Sequence, residues 1–97
     1  MKITSVRVKK IEKEGSRLRG IASVVLDEAF VINGIRIIED DDHMFISMPS
    51  RKKANGEHTD IAHPINRETR TLFEEAIFEA YKTAEVDEYK NNDEENN

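Results

Sequence analysis

Arg51, Lys52 and Lys53 form the longest uninterrupted cationic run in this 97-residue chain. Three adjacent cations can meet neighbouring phosphates, and contacts of that kind supply most of the sequence-independent affinity of proteins for nucleic acid. The bland alternative is a charged, solvated loop that keeps the chain soluble. Arg67 and Arg70 follow, at the start of an amphipathic pattern. A helix N-terminus does not favour cations, but its free backbone N–H groups can receive a phosphate. Two exposed helix arginines are the ordinary counter-reading. Arg51, Lys52, Lys53, Arg67 and Arg70 are therefore the candidate nucleic-acid contacts.

Other side chains offer less. His43, His58 and His63 lack the spacing of a helical metal site, and the chain has no cysteine to assist them. His63, placed before Pro64, reads as structural. Asp40-Asp41-Asp42 lacks the glycine and terminal glutamate of a calcium loop and reads as a solvated turn. There is no phosphate-binding glycine loop and no nucleophile–histidine arrangement. No enzyme activity, metal or cofactor is expected. Without cysteine there is also no disulfide framework.

The elements that must position the cations can be read from periodicity. Residues 3–11 alternate as a strand, with Val6 and Val8 on one face. Glu14-Gly15-Ser16 is a turn, and residues 18–26 make the second strand of a hairpin. Residues 30–38 form a third strand that is apolar on both faces, with Phe30, Ile32 and Ile38 on one and Val31, Ile35 and Ile37 on the other. Such a strand needs cover on both sides, which a helix and a second subunit could share. Residues 44–48 form a fourth strand, ended by Pro49. The cationic loop follows, with Asn55-Gly56 as a turn signal. Residues 57–63 return extended, since the residue before Pro64 is pushed away from the helical region, and could pair as a short fifth strand. Asn66 is placed as a helix N-cap. Phe73, Ala76, Ile77, Ala80 and Ala84 then recur at helical spacing from residue 67 to about 84, and Val86–Tyr89 could prolong that helix. The expected fold is α+β: a small antiparallel sheet of four to five strands followed by one amphipathic C-terminal helix, assembled as a homodimer.

The net charge of −5 conceals blocks of opposite sign. Residues 1–26 carry seven cations and two acids, whereas residues 27–42 carry six acids and one arginine. Lys9, Lys10, Lys13, Arg17 and Arg19 crowd the tip of the first hairpin and could extend the basic surface. Residues 85–97 carry six acids and one lysine, with little to bury, and should form a disordered tail. The length suits one domain with a modest core. No apolar run approaches the ~20 residues of a membrane span, and the first residues lack the apolar core of a signal peptide. A cytoplasmic protein is expected.

The run Phe45-Ile46-Ser47-Met48-Pro49-Ser50-Arg51-Lys52, followed by Asp60-Ile61-Ala62-His63-Pro64-Ile65, resembles the signature of the SpoVG family of stage V sporulation proteins and septation regulators. The upstream pieces Ile21–Asp27 and Phe30–Ile38 fit the same family in the same order, and the resemblance covers residues 1–84. It implies a small, dimeric, cytoplasmic regulator that binds DNA and RNA and affects septation, sporulation and surface or virulence traits. A protein-interaction adaptor in cell division, without direct nucleic-acid binding, is the competing expectation.

Overall fold

The computed structural model describes residues 1–84. The acidic segment 85–97 and the helix extension over residues 86–89 lie outside the described residues. Within them the fold is α+β, as expected. Strands β1 (Ile3–Lys10), β2 (Leu18–Leu26), β3 (Phe30–Asp40) and β4 (His43–Ser47) form one antiparallel sheet in chain order. Strands β5 (Ser50–Lys52) and β6 (His58–Asp60) pair with each other as a separate two-stranded arm. Helix α1 (Arg67–Thr83) closes the chain.

Tight turns produce the meander. Asp27 and Glu28 have φ of 53° and 52°, and Asp41 and Asp42 have φ of 53° and 65°. Two consecutive left-handed residues make the type I′ turn, whose twist matches that of the flanking strands. The Ala29 N–H donates to the Leu26 carbonyl at 2.9 Å to close the first of these turns. Thr4 braces it from β1, its hydroxyl accepting the Glu28 N–H at 3.0 Å. Part of the acidic block of residues 27–42 is thus turn chemistry.

One face of the sheet is buried under α1. Ala22, Val24, Ile35, Ile37, Ile46, Met48, Phe73 and Ile77 belong to a single core. Asn66 caps the helix, its Oδ1 accepting the Thr69 N–H at 2.8 Å. The Arg70 guanidinium donates to the Ile46 carbonyl at 3.0 Å, and the Lys10 ammonium lies 4.7 Å from the centre of the Tyr81 ring. The helix therefore crosses the sheet from β4 at its first turns to β1 at its last.

The sides of β3 differ from strict alternation. Ala22 pairs with Ile35 and Val24 with Ile32, so Asn33 and Gly34 stand together opposite Ser23. This is a β-bulge, and Gly34 adopts φ 78° within it. The extra residue resets the alternation, because a shift of one exchanges the faces. Ile32 joins Ile35 and Ile37 on the core side instead of lying opposite them. Val31, expected beside Ile35 and Ile37, lies instead with Ile38 on the face away from the helix.

Candidate nucleic-acid interface

The cationic triplet is built into the arm rather than into an irregular loop. Pro49 interrupts the chain between β4 and β5, and its carbonyl accepts the Ile61 N–H at 2.7 Å, which closes the foot of the arm. Arg51 pairs with Thr59, and Lys52 with His58. At the tip, the Lys53 N–H donates to Glu57 at 2.7 Å and the Gly56 N–H to Lys53 at 3.0 Å. Asn55 Oδ1 accepts the Glu57 N–H at 3.0 Å, and Gly56 supplies the positive φ of 94° that the turn requires. The expected short fifth strand is present as β6, and its partner is the cationic segment itself.

Pairing divides the triplet. Neighbours in a strand point to opposite sides, so Arg51 lies with Thr59 on one side of the arm. Lys52 lies with His58 on the other, and Lys53 stands at the turn. Every residue from Arg51 to Ile61 is exposed. Residues 50–60 also include Glu57 and Asp60, but among the described residues neither carboxylate lies in an ion pair with the triplet.

The first turns of α1 and the foot of the arm lie at the same end of β4. The bond from Arg70 to Ile46 holds the first turns of α1 beside the end of β4, a few residues before the arm begins. Arg67 is exposed there. Arg70 is placed differently: its side chain is 40% exposed, its Nε lies 3.2 Å from the Glu74 carboxylate, and its Nη2 is spent on Ile46. It ties the helix to the sheet. His63, Asn66, Arg67 and Thr71 line a shallow cleft beside it. The His63 Nδ1–H donates to the Pro64 carbonyl at 2.9 Å, which gives this imidazole a local structural bond.

The cations of the first hairpin do not extend this surface. Arg17 pairs with Asp40 and Arg19 with Glu39, each at 2.9 Å, and Lys10 covers Tyr81. They lie by the far end of α1, about 25 Å away for a 17-residue helix. Arg36 belongs to no cationic run and gave no signal in the sequence. Its position between buried Ile35 and Ile37 nevertheless places it on the opposite, uncovered face of the sheet. No group of acidic or histidine side chains suited to a metal ion occurs among the described residues, and no described helix is long and apolar enough to cross a membrane.

Residues 1–83 match the SpoVG family model. A candidate septation protein SpoVG from Lachnospira eligens is 49% identical over 85 residues, covering 88% of this chain and 96% of that protein. One of the same name from Phytoplasma australiense is 54% identical over 82 residues, 84% of each chain. Another from Clostridium beijerinckii is 50% identical over 88 residues, 91% of this chain and 96% of its own.

Proposed function

This chain belongs to the SpoVG family, and on that premise we propose that it is a cytoplasmic, site-specific DNA- and RNA-binding regulator of gene expression in a septation or sporulation programme. The relatives' names supply the septation part of this reading. The observation that carries the nucleic-acid part is the arm: an exposed hairpin with Arg51, Lys52 and Lys53 in no ion pair among the described residues, leaving the end of β4 to which the first turns of α1 are tied. Hydrogen bonds shape the backbone of the arm without a core of its own, and the cationic side chains stay accessible. Arg70 contributes by fixing the helix against β4, with phosphate contact secondary.

The homodimer belongs to the same proposal, on a different footing from the one the strand pattern suggested. Ile35 and Ile37 are fully buried within the protomer and cannot form an interface. Ile61 and Ile65, at the foot of the arm, are 65% and 88% exposed. Pairing two copies there would bring two arms to one ligand. Sedimentation of an Ile61→Ser/Ile65→Ser variant checks this: a monomer from a dimeric parent supports it, and an unchanged dimer refutes it. The same exposed apolar residues are what favours the adaptor reading.

The deciding experiment replaces Arg51, Lys52 and Lys53 together by alanine. The fold should be kept, since none of the three lies in the core. Affinity for both preferred and unrelated duplexes should fall, and the slope of log affinity against log salt should become shallower by about 0.9 for each phosphate no longer neutralised. An unchanged affinity and slope in the folded variant would remove the arm from the binding site. Loss confined to the preferred sequence would assign the triplet to base edges.

A further inference from the structure

We propose that the sheet face opposite α1 is a second binding surface, specific for single-stranded nucleic acid; this rests on the nucleic-acid reading above but not on the arm. Helix α1 covers one face of the sheet, and no described element covers the other. Ile21 and Val31 on that face are 37% and 48% exposed. The register sets Lys9 beside Ile21 and Ile21 beside Arg36 in one row across three strands. Arg7 lies two residues from Lys9 on the same side of β1. The result is a group of three cations around an apolar centre.

Charge on this face is one-sided. Among the described residues, Arg7, Lys9 and Arg36 are in no ion pair. Asp40, the one acid placed on this face by its pairing with His43, is held by Arg17 at 2.9 Å. Next to the cations lies an aromatic edge. Phe45 pairs with Ile38, two positions along β3 from Arg36, and the His43 ring lies 6.1 Å from that of Phe45 at an angle of 25°. Cations that track a backbone, beside aromatic faces on which unpaired bases stack, are the two components of single-strand recognition. An uncovered sheet face presents both to splayed bases, whereas a duplex keeps its base faces stacked inside. The face thus differs from the arm, whose exposed cations can reach phosphates of either form.

Two variants separate this surface from the arm. Lys9→Gln/Arg36→Gln changes exposed residues only, and Phe45→Leu removes the ring while keeping an apolar side chain against Ile38. Each is titrated against a mixed-sequence 20-nucleotide strand, as RNA and as DNA, and against the corresponding duplex. Phe45→Leu should weaken single-strand binding roughly tenfold, within the range found for loss of one stacked base, with duplex affinity within about twofold. The double variant should make the single-strand salt slope shallower by about 0.7 for each phosphate no longer neutralised. Single-strand affinity and slope unchanged in both variants, with the arm variant impaired, would overturn the second surface and leave the proposed function standing. A parent protein that binds neither form at low salt would overturn both. A dimer that becomes monomeric on Phe45→Leu would assign the face to a second copy of the chain, and the proposal would fall.

Discussion

The sheet with its helix and the β5–β6 arm are held by different forces. In the first, Ile35, Ile37, Ile46 and Ile77 are buried almost completely, and strands distant in sequence share one core. In the second, residues 51–61 are all exposed, and main-chain hydrogen bonds, Pro49 and Gly56 set the shape. Burial of apolar surface dominates stability, so the first region carries the fold. An isolated two-stranded hairpin is marginal in water, so the arm depends on being anchored at its foot. The division lets the exposed residues of the arm vary without endangering the core.

Damage to the core should have the largest effect. Ile37→Ala should lower unfolding free energy by about 2–5 kcal/mol, the range for buried aliphatic truncation. Denaturant titration measures it, and a loss under about 1 kcal/mol would contradict the packing described above. Ile37→Lys should not fold, since it would bury an unpaired charge. Arg70→Ala comes next. It removes a charged donor from the Ile46 carbonyl and a half-exposed pair with Glu74. Solvent screening weakens the pair, and a loss of about 1–2 kcal/mol is expected, mostly from the carbonyl left without its donor. If Arg70→Ala instead leaves stability unchanged and impairs binding as strongly as the arm variant, Arg70 is a ligand contact.

What was legible in the sequence follows the same division. The four long strands and the helix announced themselves through apolar periodicity, because a buried face imposes it. The arm has no buried face, so Ser50–Lys52 showed no strand pattern. Pro49 and Asn55-Gly56 marked its turns, and the extended return over residues 57–63 allowed a short strand without showing that its partner is the cationic segment. The bulge was signalled by Asn33-Gly34, since an isolated glycine in a strand pattern points to one, but strict alternation read through it put Ile32 and Ile35 on opposite faces. The ion pairs of Arg17 and Arg19 had no signature either. They join residues about twenty positions apart, which only the folded register brings together.

A smaller change is expected at the first turn. Glu28 holds φ 52° without the short side chain that tolerates it. Left-handed backbone costs a non-glycine residue about 1–2 kcal/mol, partly offset in a glycine variant by greater freedom of the unfolded chain. Glu28→Gly should therefore raise stability by about 1 kcal/mol or slightly less, seen as a higher midpoint with the same denaturant slope. A lower midpoint would mean that the Glu28 side chain contributes something its geometry does not display.

The smallest effect on global stability is expected at the tip of the arm, and it tests the division most directly. Gly56 has φ 94° with open space where a side chain would go. Alanine there meets no neighbour, so the effect is backbone strain of about 1–2 kcal/mol, partly offset by the lower freedom of the unfolded alanine chain. If the arm opens independently of the core, that strain is released by local fraying. Hydrogen exchange at the Lys53 and Gly56 amides, whose bonds close the tip, should then speed up severalfold. Core amides of β2 and β3 should exchange as before, and the thermal midpoint should stay put. Nucleic-acid affinity should fall modestly, because a frayed arm must be ordered again on binding. A global loss equal to the strain would show instead that arm and sheet unfold together as a single cooperative unit.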